Sequence, residues 1–596
     1  MGIATVAVYS DADRDALHVA LADEAYRIGP APASQSYLDG ERLIACARTA
    51  GAEAIHPGYG FLAENSAFAR GVVAAGLTWI GPHADAIAAM GDKLRARQAM
   101  RDANVPTVPG GTEAIADVAG ARAAAEKYGL PLALKAAAGG GGKGLRVAAS
   151  MDELASAFES ARREAQAYFK NGTIYAERYL ENPKHVELQV LADKHGNVVH
   201  VGERDCSLQR RHQKLWEEAP AQISDRIREA MREAGVRAAQ AIAYDSAGTV
   251  ECLVSGDAFY FLEMNTRIQV EHTITEMVSG LDLVREQIRV AAGEPLGYGQ
   301  NEISFHGFSI EGRVNAEDPA AQFRPAPGTI TAYREPGGLG VRVDSAAYAG
   351  WTIPADYDSL IAKLVVWAPT RENAIARMRR ALDEYVVEGV PTTLPLLRAL
   401  CDHPAVADGS YGTATLEPFA ATLRPAAGSE RHLPAPMPRV TSQRTAPRLG
   451  ATRKRSSSSD GDDVRSPMHG LVIELAVAKG DAVTEGQVVA VIEAMKMMNE
   501  IRAHRTGVVS AVHAGTGSSV ESGSPLLTIG EVILRQAQDD SGIGHDDGGT
   551  GRDDGGTGRD DGGTGRDDSG IGHDDSGTGR DDGGTGGDDG GIGRDG

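Results

Sequence analysis

The chain has 596 residues, with 60 Lys and Arg against 82 Asp and Glu, for a formal charge of −22. Residues 536–596 alone hold 17 Asp and 5 Arg, so the remainder carries a net −10 and lacks the basic face that a nucleic-acid binder needs. Cys46, Cys206, Cys252 and Cys401 are scattered without a C-x-x-C pair, which excludes a disulfide scaffold or Cys-rich zinc module and fits a reducing cytoplasm. The sequence has neither an apolar run of about 18 residues nor a basic-then-apolar start, so neither a membrane span nor an export signal is expected.

In chain order, residues 3–9 read as a buried strand and Asp11 to Arg14 as a turn into a helix. A helix is predicted over 41–50, and a short strand at Ala54–His56 leads into PGYGF. This alternation describes a small open α/β unit to about Gly81. The bulk, 92–420, reads as α+β. Its strands are predicted at 131–135, 173–179, 185–191, 248–254 and 259–263, and its helices at 151–168, 225–242 and 371–385. Residues 421–463, rich in Pro, Ala, Arg and Ser, cannot bury enough apolar area to offset their ordering entropy and read as a linker.

Residues 464–531 contain a repeat. A shift of 37 lays Gly470, Val472, Leu475, Gly480, Val483, Gly486, Val489 and Ile492 on Gly507, Val509, Val512, Gly517, Val520, Gly523, Leu526 and Ile529. Two copies are too few for a solenoid, so a closed pseudo-two-fold β unit is expected, with Glu493 to Met498 as the turn joining the copies. The tail repeats an Asp-Asp pair every seven residues from Asp539 to Asp588. Without apolar a and d positions it is no coiled coil, and it reads as acidic and disordered.

Chemistry concentrates in the bulk. Gly139 to Gly144 (GGGGKG) follows a strand and could cradle phosphates, although a plain surface loop has the same composition, and no Ser or Thr completes a Walker A motif. Residues 250–265 read as a hairpin. With a three-residue loop at 255–257, Glu251 would face Phe261 and Glu263 would face Thr249, leaving both carboxylates diagonal on one face. Two Glu and Asn265 offer hard oxygen ligands for Mg²⁺ beside nucleotide phosphates; two solvated Glu are the bland alternative. Continuing that strand, period two would align Arg267, Gln269 and Glu271, which suits a small planar oxyanion and a base, or else a salt-bridge ladder. Residues 203–214 crowd Arg204, Arg210, Arg211, His212 and Lys214, as a phosphate site or a basic loop would.

These segments carry a resemblance. ERDCSLQRRHQK, FLEMNTRIQVEH, EGRVNAEDP and HPGYGFLAEN resemble biotin carboxylases of the ATP-grasp superfamily, and EAMKM resembles the attachment site of biotinyl carrier domains. The whole resembles the α subunit of an acyl-CoA carboxylase. The fold implied is α/β and α+β: a Rossmann-like N-terminal domain at 1–91, ATP-grasp at 92–300, a biotin carboxylase C-terminal domain at 301–420, a linker at 421–463, an all-β carrier at 464–531 and a disordered tail at 532–596.

The resemblance also implies roles. Lys93 and Lys135 contact ATP phosphates, and Gly141 and Gly142 belong to a lid. Glu177, Arg178, Tyr179 and Leu180 line the adenine hinge, with His185 and His212 nearby. Glu251, Glu263 and Asn265 hold Mg²⁺ or Mn²⁺. Lys214, Arg267, Gln269 and Val270 frame bicarbonate, with Glu271 as base. Arg313 faces biotin, with Gly60 and Glu64 near its pocket, and biotin is carried on Lys496. The implied partners are a carboxyltransferase β subunit, a biotin protein ligase and a second copy of the carboxylase part. Relatives of this type begin one strand and one helix earlier, so a mis-chosen start codon is expected. The alternative is a truncated chain serving mainly as carrier and scaffold.

Overall fold

The computed structural model describes residues 1–137, 144–211, 213–423, 462–495 and 497–530. The glycine-rich loop with Gly141 and Gly142, His212, Lys496, most of the linker and the acidic tail lie outside the described residues. Among those described, no helix is long and apolar enough to cross a membrane.

The N-terminal region forms two short parallel pairs. β1 (Val6–Ser10) pairs with β2 (Glu24–Gly29), and after α1 (Gly40–Thr49), β3 (Ala54–Ile55) pairs across α2 (Ser66–Ala74) with β4 (Thr78–Trp79). Asp39 and Asn65 cap the two helices through Arg42 N and Phe68 N. Phe68, Val72 and Trp79 close a small core. α3 (Lys93–Asp102) follows, capped by Asp92. Then β5 (Leu132–Ala136), β6 (Leu145–Ala148), α4 (Leu154–Phe169) and β7 (Ile174–Arg178) make a three-stranded sheet, order β6-β5-β7, under a helix. Leu132, Leu134 and Phe158 fill the space between sheet and helix.

An eight-stranded antiparallel sheet organises the rest. Its strands are β8 (Lys184–Ala192), β9 (Val198–Arg210), β10 (Gln213–Ala219), β11 (Ser246–Ser255), β12 (Ala258–Asn265), β13 (Phe308–Asn315), β14 (Val341–Ser345) and β15 (Leu360–Ala368). They lie in the order β12-β11-β8-β9-β10-β13-β15-β14. One face is apolar: Val186, Leu188 and Val190 pack on α5 (Asp225–Ala241), and Trp216, Ile310 and Leu364 join the core that holds Met378 of α7 (Arg371–Glu384). The other face carries α6 (His272–Ser279), whose Ile274 and Val278 meet Ala219 and Val365. Period-two alternation sends Glu187 and Gln189 to this second face, where both are fully buried.

Three expectations are corrected. Ser255 pairs with Ala258, so the hairpin loop is the two residues Gly256 and Asp257; a bulge between Glu251 and Cys252 then sets Glu251 directly opposite Glu263 instead of diagonal to it. The expected strand over 267–271 is a loop: β12 ends at Asn265, buried Ile268 joins the core of Leu283 and Val290, and α6 starts at His272. The basic segment is strand rather than loop through Arg210 and again from Gln213, with Arg204 fully buried against Glu187 and Lys214 paired with three carboxylates.

The carrier region is a sandwich of two four-stranded sheets. Its strands are β16 (Asp463–Arg465), β17 (Gly470–Leu475), β18 (Ala482–Val483), β19 (Val488–Ala494), β20 (Met497–Arg502), β21 (Gly507–Val512), β22 (Ser519–Val520) and β23 (Pro525–Gly530). The sheets run β16-β23-β21-β18 and β20-β19-β17-β22. The short strand of each repeat pairs with the other repeat: β18 with β21, and β22 with β17. A Cβ at Gly470 would meet the Glu493 carbonyl oxygen at 2.5 Å, and one at its repeat mate Gly507 would collide with the Gly530 carbonyl. The predicted six-residue joining turn is narrower than expected, since Glu493 pairs with Met498 and Ala494 with Met497, and Met495 has a left-handed φ of 49°.

Candidate active site

A cavity of 1110 Å³ opens on the polar face of the large sheet. It is lined by Gly60, Lys93, Lys135, Glu177, Arg178, Tyr179, Leu180, His185, Lys214, Glu251, Glu263, Asn265, Arg267, Gln269, Val270, Glu271 and Arg313. Of the described residues to which the resemblance gives a role, Glu64 does not line it; it lines a smaller cavity beside it. There its carboxylate meets Arg267 Nε at 3.1 Å and accepts from Thr266 N at 3.2 Å, so it braces Arg267 from outside.

Lys214 stands at the centre. Its ammonium donates to Glu187 at 2.5 Å, Glu271 at 2.6 Å and Glu251 at 3.0 Å. Burial alone would raise the Glu251 and Glu271 carboxyls. Lys214 overrides it, with His185 for Glu251 and Arg313 and Arg204 for Glu271, and both are held below the usual carboxylate range. Burial likewise opposes charge on Lys214, but its three carboxylates hold it well above the ordinary lysine value.

Around this centre the donors are fixed. His185 Nε2 lies 3.0 Å from Glu251, and Gln269 donates to Glu251 at 2.8 Å and also to Asn265. Arg204 bonds Glu187, Gln189, Thr249, Thr275 and Gln269, locking β8, β9 and β11 to α6 and the loop before it. Arg313 bridges Glu217 at 2.7 Å and Glu271 at 2.9 Å. Nearer the rim, Lys93 faces Glu263 at 3.6 Å. Lys135 pairs with Glu177, which also accepts from Arg97 at 2.6 Å. The Glu177 carboxylate thus holds a lysine in place, while exposed Tyr179 is left to offer its ring.

Glu251 and Glu263, directly opposed, and Asn265 two residues on supply two carboxylates and an amide oxygen, a donor set that fits Mg²⁺. His185, Glu187 and Glu251 form a second group, with ligand atoms within 4.8 Å of one another.

Arg97, Glu187 and Glu217 were not singled out from the sequence. Arg97 reaches Glu177 across 80 residues, a pairing that local pattern does not encode. Glu187 did carry a signal, since it shares period-two parity with His185 and Gln189, between the apolar Val186, Leu188, Val190 and Ala192.

The site is thus a nucleotide-sized cavity over a carboxylate-and-lysine floor, with a β sandwich downstream in the same chain. Four family models match: "Biotin carboxylase, N-terminal domain" at 1–87, "Carbamoyl-phosphate synthase L chain, ATP binding domain" at 92–298, "Biotin carboxylase C-terminal domain" at 311–418 and "Biotin-requiring enzyme" at 462–529. Biotin carboxylase 1 of Bacillus subtilis is 51% identical over 422 residues, 70% of this chain and 94% of that protein. A pyruvate carboxylase subunit of Methanothermobacter thermautotrophicus is 52% identical over 69% of this chain and 84% of its own. The biotin carboxylase domain dimer of the Hydrogenobacter thermophilus 2-oxoglutarate carboxylase, solved with MgADP, ADP and bicarbonate, superposes with a TM-score of 0.69 at 50% identity, covering 71% of this chain and 94% of that one. The chain belongs to the biotin carboxylase family and joins a biotinyl carrier domain to it.

Proposed function

We propose that the chain uses ATP to activate bicarbonate in this cavity, carboxylates biotin carried on Lys496, and serves as the α subunit of an acyl-CoA carboxylase whose β subunit performs the transfer. The supporting observation is convergence: nucleotide, metal, bicarbonate and biotin candidates from widely separated sequence segments line one cavity, with Glu271 between Lys214 and Arg313.

In this reading Lys93 and Lys135 hold the phosphates, and Tyr179 and Leu180 lie beside the base. Glu251, Glu263 and Asn265 would hold Mg²⁺, which when bound neutralises charge on the phosphoryl group in transfer. Arg267, Gln269 and the Val270 backbone orient bicarbonate, and Lys214 lowers the cost of its charge. Glu271 is ionised in the folded chain and so is in the state that accepts the bicarbonate proton. Attack of bicarbonate oxygen on the γ-phosphorus releases ADP and gives carboxyphosphate, which breaks down to CO₂ and phosphate. Arg313 would stand beside biotin and would stabilise the negative charge left on its ureido oxygen once the released phosphate has taken the ureido N–H proton.

The carrier domain downstream of the carboxylase supports the α-subunit reading. Relatives named for pyruvate and 2-oxoglutarate make the acceptor the finer part of the proposal. A cytoplasmic homodimer fits the domain dimer of the Hydrogenobacter thermophilus relative. The test is bicarbonate-dependent ATP hydrolysis stimulated by free biotin. An inactive but biotinylated chain would favour the carrier-and-scaffold reading. Reconstitution with the co-purifying carboxyltransferase and acetyl-, propionyl- or longer acyl-CoA, against pyruvate and 2-oxoglutarate, decides the acceptor.

A further inference from the structure

Beneath Arg313 lies a pair of carboxyl groups that the proposed mechanism does not use. Glu217 on β10 and Glu311 on β13 are direct cross-strand partners, and both are fully buried. Directly opposed residues on one sheet face have Cβ atoms about 5 Å apart. Each group has one oxygen engaged: Glu217 by Arg313 Nε at 2.7 Å, and Glu311 by the Thr273 hydroxyl. The other oxygen of each, Glu217 Oε2 and Glu311 Oε1, is buried without a hydrogen-bond partner.

Two unpartnered acceptors on directly paired residues beside α6 need a donor, because a buried carboxylate oxygen without one loses its hydration for nothing. The charges nearby agree. Lys214 is shared by Glu187, Glu251 and Glu271, and Lys363 of β15 is held by the Val270 carbonyl at 2.9 Å and faces Asp344 at 3.5 Å. Buried Cys206 adds no cation. Arg313 bonds two carboxylates on this face, Glu217 and Glu271, but not Glu311.

We propose that Glu217 and Glu311 share one proton, and that this singly charged pair is a positioning device that holds Arg313 against Glu271. Burial, together with Glu311 and Glu271 and against the pull of Arg313, raises the Glu217 carboxyl to about 8; burial also raises Glu311, against Lys363 and Arg313. The shared proton stands on the packing alone, whereas its service to Arg313 rests on the carboxylase reading.

Infrared spectroscopy of the full chain tests the proton directly. At pH 7 a protonated-carboxyl band should appear, shift when glutamate is ¹³C-labelled, and vanish in both Glu217→Gln and Glu311→Gln, where the amide supplies the missing donor. A native spectrum without that band, or a band that survives in both variants, overturns the shared proton. Thermal unfolding gives a second reading. The folded chain carries a proton that the unfolded chain has released, so native Tm should fall as pH rises towards 8, and the lead of either Gln variant should grow over the same window. A lead that does not grow counts against the pair.

Positioning is read from the ATP cleavage stimulated by free biotin. Glu217→Leu neither accepts from Arg313 nor bonds Glu311, and should lower kcat by about thirtyfold, the scale of one lost charged hydrogen bond, with little change in KM for ATP. Glu217→Gln should recover most of that loss. If Gln is as damaging as Leu, the positioning role is refuted, while the infrared band still decides the proton.

Discussion

Lys214 offers the sharpest test of the site's electrostatics. Lys214→Met keeps the stem volume and removes the charge shared by Glu187, Glu251 and Glu271. Removing one partner of a buried charge pair costs about 3–5 kcal/mol. The cost should depend on pH. In the native chain Glu251 and Glu271 have folded values below their unfolded ones, so their contribution is present above the unfolded carboxylate range and is lost only as pH falls through the depressed values. Without Lys214 the sign reverses for one of the three carboxyls. It takes up a proton that the unfolded chain does not hold, and the variant loses stability as pH rises. The gap between native and variant should therefore widen by about 1.4 kcal/mol per pH unit, or about 2.7 kcal/mol from pH 6 to pH 8. Guanidinium unfolding at both pH values measures it, with Trp216, fully buried on the same strand, as the fluorescent reporter. An equal gap at pH 6 and pH 8 would refute the reasoning. Bicarbonate-dependent ATP hydrolysis should fall by at least about a hundredfold at either pH.

Glu64→Ala, which frees Arg267 without opening the cavity wall, should raise KM for bicarbonate by about tenfold with a smaller change in kcat, as for loss of one charged hydrogen bond. Chelation should stop ATP cleavage and added Mg²⁺ restore it; Glu263→Gln should need more Mg²⁺ for half-maximal rate, as a titration would record. Lys496→Arg should abolish labelling by streptavidin while the reaction with free biotin persists. Gly507→Ala, which drives a methyl into the Gly530 carbonyl, should unfold the carrier sandwich and also cost biotinylation, read by circular dichroism and the same blot.

What the sequence disclosed follows the range of each physical rule. Alternation with period two depends only on parity, so Glu251 and Glu263 could be assigned to one face even though the two-residue turn and the bulge set a different register. The same rule failed past Asn265, where burial of Ile268 pulls the chain out of the sheet; Arg267, Gln269 and Glu271 still converge because a loop folded over the cavity wall aims them there. The internal repeat was legible because each copy must satisfy the same close contact, as Gly470 and Gly507 do. The counter-charges were not legible. Glu187 neutralises Arg204 on the next strand and Lys214 on the one after, and Arg97 neutralises Glu177 from 80 residues away, pairings that depend on how the strands register and fold together.

The strand pairing β10–β13 has a mechanical consequence. Glu271 and Arg313 fall under different family models, yet the ladder from Trp216–Gly312 to Ala219–Ser309 welds their supports into one sheet. A hinge between those two domains would have to break that ladder, so Glu271 and Arg313 form a fixed anvil. A chimera that exchanges residues 301–420 between carboxylases cuts through this weld, and should succeed only when the partner edge at β10 is exchanged with it.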